Sequence, residues 1–349
     1  MSSVASEPPS GPSFLQTELP PGWQARPAGP DDVEALYRVA ASHDRAGMGR
    51  PTSSPEGVAA QVAGPGASTR EHLLVADAGG RAVGWGSLQD RAAGRIIVGV
   101  LVDPAIGDAE ADAVASTLLG WAESEGRRIA VDRGLEATQL DAGAFAGDDR
   151  QHRWLTVAGY AHVRTWWQMS RPVTPEDGKP GAFPAPRDGV VIRQVVGDDG
   201  RPEQDDLRAV HDVLEAAFTD HFNYHEETFD EFVDRQRQEV GHAWDHWWLA
   251  EVGDGEPAGA LVGEVSRGGQ DQPDGSYVAY LGVTRAARGR GVARSLLHAI
   301  ITDAACRGRD RVGLEVDADS PTGAAALYES TGFRTAYITE SWHRDLMVR

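Results

Sequence analysis

From Tyr280 to Ala293 the chain reads Tyr-Leu-Gly-Val-Thr-Arg-Ala-Ala-Arg-Gly-Arg-Gly-Val-Ala, an apolar run that gives way to arginine and glycine and then to a helical pattern. The residues from Tyr277 to Val283 predict a strand, and Val292, Leu296, Leu297, Ile300 and Ile301 recur at helical spacing. The loop between them must therefore deliver a strand into a helix. Glycine lets the backbone approach a ligand closely, and the first N–H groups of a helix lack intrahelical partners and sit at the positive end of its dipole. With Arg285, Arg288, Arg290 and Arg294 around it, this junction predicts a site for phosphate groups. No Gly-Lys-Ser or Gly-Lys-Thr follows, and Arg294 stands where a dinucleotide fingerprint needs its third glycine, which argues against nucleotide hydrolysis and nicotinamide binding. The competing explanation is a turn that its glycines merely tighten.

Arg288 to Ala293 reads Arg-x-x-Gly-x-Ala, and Val283 precedes it. This resembles the acetyl-CoA pyrophosphate loop of the GCN5-related N-acetyltransferases (GNAT). Downstream, Val316 to Phe333 resembles the second motif of that family: a strand, a helix carrying Leu327-Tyr328, and Gly332-Phe333 opening the next strand. The resemblance implies acetyl-CoA as co-substrate, no metal, and cofactor contacts from Leu281, Val283, Arg288, Gly289, Arg290, Gly291, Val292 and Ala293. The strand ending at Val283 is expected to splay from the one beginning near Gly313, with pantetheine lying in the gap like an added strand. Tyr328 is implied as the acid that protonates the departing thiolate. An alkylammonium of pKa about 10.4 is almost fully protonated at pH 7, so an amine acceptor must lose a proton before it attacks. Glu264, Tyr277, Tyr280 and Glu315 are candidates for receiving that proton, and the sequence favours none of them.

The expected activity is direct transfer of an acetyl group to the amine of a small molecule or peptide. A noncatalytic acyl-CoA sensor and a protein lysine or N-terminal acetyltransferase are the alternatives. His221 and Tyr224 are the expected acceptor-side residues, in a segment that mixes aromatic and ionisable groups. Trp244, Trp247 and Trp248 read first as packing residues and second as neighbours of the acceptor. The pairs His221/His225 and His242/His246 have helical i, i+4 spacing but lack a His-Glu-x-x-His signature, so no metal site is assigned.

A formal net charge of −20 opposes nonspecific binding to nucleic acid or to an anionic membrane, both of which need a basic surface. It also makes the arginine-rich loop a local exception, as an anionic cofactor requires. No apolar run is long enough to span a bilayer and the Pro- and Ser-rich start lacks a leader pattern, so a cytoplasmic location is expected. The single cysteine, Cys306, excludes an intrachain disulfide and lies on the apolar helix after the loop, where burial is expected.

At 349 residues the chain is long enough for two domains, and the Pro-rich stretch from Pro172 to Arg187 divides it. The halves repeat one order of elements. A strand at Trp23 and a helix around Leu36 answer a strand at Val190 and a helix around Val210. Leu73 to Leu88 and Trp248 to Val265 read as hairpins, and Ile96 to Val102 with the helix around Leu118 answers the loop-bearing strand and its helix. The expected fold class is α/β (α+β mixed sheet): two tandem GNAT-like domains, each a mixed, mostly antiparallel twisted sheet flanked by helices. Residues 1–22 are expected to be a disordered tail, 23–171 a degenerate domain, 172–187 a linker and 188–349 the catalytic domain. Alignment without gaps on Val102 and Val283 sets Gly107 opposite Arg288, and Asp108, Glu110 and Asp112 opposite Gly289, Gly291 and Ala293. Alignment on Gly159 and Gly332 sets Leu155 opposite Tyr328. Carboxylates thus replace the phosphate cradle and the hydroxyl is lost, so one acetyl-CoA per chain is expected.

Overall fold

A computed structural model describes residues 18–348 other than 65, 66, 68, 92–94, 197–201, 220–225, 240, 269–272, 321 and 322. Most of the expected tail, residues 1–17, lies outside the described residues. The chain forms two compact units, one of the described residues up to Thr165 together with those from Ile338 onward, the other of Trp166–Tyr337.

In the first unit, β1 (Gln24–Pro27), β2 (Arg70–Ala76), β3 (Ala82–Arg91) and β4 (Arg95–Val102) pair antiparallel in turn, and β4 runs parallel to β5 (Ala137–Phe145). Helices α1 (Val33–Met48) and α2 (Pro55–Val62) cover one face through Leu36, Val39, Val58 and Val62 against Leu74 and Trp85. Helix α3 (Asp108–Asp132) covers the other, packing Val114, Leu118 and Leu119 onto Val83, Ile96 and Val98, and α4 (Asp149–Val157) joins it there through Trp154 and Leu155.

The second unit repeats this order. Strands β7 (Val190–Gln194), β8 (His242–Val252), β9 (Glu256–Ser266) and β10 (Gly275–Val283) pair antiparallel, and β10 runs parallel to β11 (Arg311–Asp317). Helices α5 (Gln204–Phe218) and α6 (Phe229–Gln238) bury Leu207, Val210, Leu214, Phe232 and Val233 against Trp247, Leu249 and Val262. On the opposite face α7 (Val292–Cys306) and α8 (Ala324–Ser330) bury Leu296, Leu297, Ile300, Ile301 and Tyr328 against Leu261, Val278 and Leu314. A fully buried Leu or Ile contributes roughly 1.5–3 kcal/mol relative to exposure, so this run of side chains fixes α7 on the sheet.

The last strand of each repeat completes the other unit. Residues 339–347 of β12 (Arg334–Met347) pair antiparallel with β5, and residues 166–172 of β6 (Ala161–Pro172) pair antiparallel with β11. The partition therefore differs from the boundaries read at the proline-rich segment, because an alternating apolar pattern does not say which strand a segment will pair with. Cys306 corrects another expectation. It is exposed at the end of α7, two residues beyond Ala304, the last buried residue of the apolar stripe that includes Ile300 and Ile301.

Candidate functional site

The arginine-glycine loop leaves β10 through a turn of 3-10 helix, Arg285–Ala287, and enters α7 at Gly291. Gly289 and Gly291 have φ of +79° and +84°, in the left-handed region that a side chain disfavours. No side chain caps the helix, so its leading N–H groups remain available. Arg288, Gly289, Arg290 and Arg294 are exposed around it, while Val292 anchors the first turn in the core. Gly259 on β9 permits this seating, since a Cβ there would come within 2.5 Å of Val292 Cγ1.

Below the loop the two parallel strands part. The register of β10 with β11 runs only from Ser276↔Val312 to Val278↔Leu314, although the strands continue to Val283 and Asp317. A bulge between Val278 and Tyr280 turns β10 toward β9, which it follows as far as Val283↔Gly259. Among the described residues, the backbone from Tyr280 to Val283 thus has no strand partner on its β11 side. The expected splay is present, and Leu281 and Val283 lie along it. Tyr328 is buried in the core cluster that also holds Val292 and Val316, with Leu281 and Val283 at its border. Burial pushes its phenol up to about 12, so it carries a proton at neutral pH.

The opposite sheet face carries the ionisable groups. A Cβ on Gly263 would approach Ile300 of α7, so the next residue, Glu264, projects toward the α5 and α6 side. Glu264 is half-buried there, and burial, reinforced by Glu239 and opposed by Arg235, raises its carboxyl to about 7. The other three candidates have different surroundings. Burial above all raises the Tyr277 phenol, with Glu315 and Tyr337 acting in the same direction. The Tyr280 hydroxyl accepts from Arg235 Nη1 at 2.9 Å, and that guanidinium is held by Glu227 at 2.8 and 2.7 Å. Glu315 is exposed and accepts a hydrogen bond from Gln168.

Comparison with known proteins places this arrangement. Residues 207–333 match the acetyltransferase (GNAT) family. That match lies wholly within the second unit. Mycothiol acetyltransferase of Thermobispora bispora is 33% identical over 198 residues, which are 55% of this chain and 59% of that protein. The chain thus matches less than two thirds of that relative's length. A GCN5-related N-acetyltransferase from Sphaerobacter thermophilus superposes with a TM-score of 0.76 at 24% identity, covering 94% of this chain and 97% of that one. A tandem GNAT protein from the clavulanic acid biosynthesis pathway does so with 0.69 at 16% identity, covering 93% and 98%. Both likenesses extend over the two units and concern the fold. GNAT proteins use acyl-CoA as co-substrate and act on amine acceptors.

In the first unit the corresponding gap takes a side chain of the chain itself. β4 and β5 also part early, after Val98↔Ala142. Into that gap α4 inserts Gln151, whose Nε2 donates to the carbonyls of Val100 on β4 at 3.3 Å and Gly143 on β5 at 3.2 Å. Its counterpart eight residues before Gly332 is Ala324, which has no side-chain amide to insert. The loop ahead of α3 is also shorter: α3 starts six residues after Val102, at Asp108, whereas α7 starts nine after Val283. The gap-free alignment is corrected accordingly, with Gly107 answering Gly291 as the residue that precedes each helix. The carboxylates remain at the helix start, where Arg150 lies 3.6 Å from Asp108, and Trp154 Nε1 and Arg153 both donate to Asp112.

Of the expected acceptor-side residues, His221 and Tyr224 lie outside the described residues. Trp247 and Trp248 are buried on opposite sheet faces, in the α5–α6 and α7–α8 cores, which removes them as lining residues. Trp244 packs edge-on against His242 and Trp247. His242 and His246 belong to β8 rather than to a helix, and His246 is enclosed by Asp303 at 2.9 Å and Arg309 at 2.6 Å. No cluster among the described residues has the composition of a metal site, and no helix among them is long and apolar enough to cross a membrane. Sequence reasoning missed Gln151. Its signal was a polar residue at the apolar inner face of α4, one turn before Leu155.

Proposed function

We propose that the chain is an acetyl-CoA-dependent N-acetyltransferase that moves an acetyl group directly to the primary amine of a small molecule or peptide. The observation that carries this reading is the parting of β10 from β11 beyond Val278, directly below a glycine turn ringed by Arg288, Arg290 and Arg294. The free backbone edge suits the amides of pantetheine, and the uncapped helix start suits its phosphates. The residues present fit the co-substrate. Gly289 has open space where a Cβ would stand, and Ala293 offers a small side chain at the second helical position.

Bound acetyl-CoA supplies the acyl group as a thioester. Leu281 and Val283 hold it by their backbone, and Arg288 to Ala293 hold its phosphates. Glu264, poised near pH 7, takes the proton from the acceptor ammonium. Tyr328, protonated at working pH, donates to the leaving sulfur. In the first unit Gln151 and the carboxylates at the start of α3 oppose a second molecule, so one acetyl-CoA binds per chain. The test is a panel of amines and peptides incubated with acetyl-CoA and followed by thiol release. Release that depends on a primary amine supports the reading, and release with hydroxyl acceptors alone, or with none, contradicts it.

A further inference from the structure

The proline-rich segment ends in Arg187, which its place in the sequence assigns to a linker. In the folded chain its Nη1 donates to the carbonyl of Gly289 at 2.9 Å. Its stem lies along Gly291, where a Cβ would come 3.4 Å from both Cδ and Nε of Arg187. The backbone is pinned as well: the Arg187 carbonyl accepts from the Val190 N–H at 3.0 Å, at the start of β7. A Cβ on Gly189 would lie 3.9 Å from Nη2 of Arg290. The segment before β7 therefore lies against the glycine turn, with Arg187 on Gly291 and Gly189 beside Arg290.

Among the described residues no carboxylate pairs with Arg187, Arg288 or Arg290, although the chain as a whole carries a net charge of −20. Gathering unpaired guanidinium groups at the positive end of a helix is unfavourable unless an anion joins them. The Gly289 carbonyl takes one N–H of Arg187 and leaves Nε and Nη2 as free donors in the planar fork that matches phosphoryl oxygens.

We infer that Arg187 is a cofactor-binding residue: a guanidinium brought from the interrepeat segment to the edge of the arginine-glycine loop, where it binds a phosphoryl group of acetyl-CoA. The inference rests on the reading of that loop as the acetyl-CoA cradle. It gives the proline-rich segment a part in binding. Prolines at 180, 184 and 186 restrict the backbone ahead of Arg187, so little conformational freedom is lost when the contact forms.

The test is calorimetric titration of the full chain and of Arg187→Gln, Arg187→Lys and Arg187→Ala with acetyl-CoA and with dephospho-CoA, each at two salt concentrations. Glutamine keeps a polar stem along Gly291 and removes the charge, while alanine removes both. The expected result is a Kd for acetyl-CoA raised roughly threefold to thirtyfold in Arg187→Gln, with a weaker salt dependence, an unchanged melting temperature and partial recovery in Arg187→Lys. An equal loss with dephospho-CoA assigns the contact to the pyrophosphate, and a loss confined to acetyl-CoA assigns it to the 3′-phosphate. Wild-type affinity in both the Gln and Ala variants overturns the inference, as does a loss in Ala with none in Gln, which would mark Arg187 as a support for the loop alone. A wild-type chain that binds no acetyl-CoA would instead refute the parent reading.

Discussion

Glu264 and Tyr277 stand opposite each other in the β9–β10 register, so a carboxyl that burial holds near neutrality shares a sheet face with a phenol pushed far from ionising. The pair divides the possible roles: within it, only Glu264 changes its charge in the range where an enzyme works.

Activity is accordingly expected to rise with pH through about 7 as Glu264 ionises. In Glu264→Gln that inflection should vanish and turnover should fall by roughly a hundredfold to ten-thousandfold, with acetyl-CoA affinity retained. Stability should move the other way. A carboxyl with a folded pKa raised above its unfolded value of about 4.3 favours folding while protonated. Wild-type stability therefore declines as pH rises from that range through about 7, and the Gln variant should lose this component. A pH–rate profile with denaturant melts at pH 5 and 8 checks both.

Tyr328→Phe should keep the packing against Phe333, whose ring lies 6.0 Å away, and the affinity for acetyl-CoA. Turnover is expected to fall by roughly tenfold to ten-thousandfold when chemistry limits the rate. An unaltered single-turnover rate would leave the phenol with a packing role only.

The exchange of last strands predicts how the chain responds to cutting. A chain beginning at residue 188 loses the strand that pairs with β11 from Arg311↔Pro172 to Asp317↔Trp166. It exposes a sheet edge beside the splay and should aggregate or melt at lower temperature than a chain that begins before Trp166. Equal melting temperatures and monodisperse behaviour for the two chains would contradict this.

Much of the fold was legible because its signals are local. The strand, turn and helix around Arg288 follow from apolar spacing and glycine, and the repeat shows in the order of hairpins and helices. What escaped depends on partners distant in sequence. Nothing in the pattern of Arg334 to Met347 says that it pairs with β5, since any half-buried strand alternates in the same way. Gln151 looks like an ordinary helix residue until the parting of β4 and β5 supplies two carbonyls for its amide. Glu264 could not be separated from Tyr277, Tyr280 and Glu315 by residue type. The choice rests on burial and on Arg235 being occupied by Glu227 and Tyr280.

The central claim is that acetyl-CoA binds once per chain, at the start of α7. Calorimetric titration of the full chain and of Ala293→Glu tests it most directly. Ala293 has helical backbone at the second position of α7, so a glutamate there suits the helix dipole and avoids the strain that a side chain at Gly291, with φ of +84°, would add. The account predicts one molecule bound per wild-type chain and no measurable binding to a folded Ala293→Glu variant. A stoichiometry of two, or unchanged affinity in that variant, would contradict it.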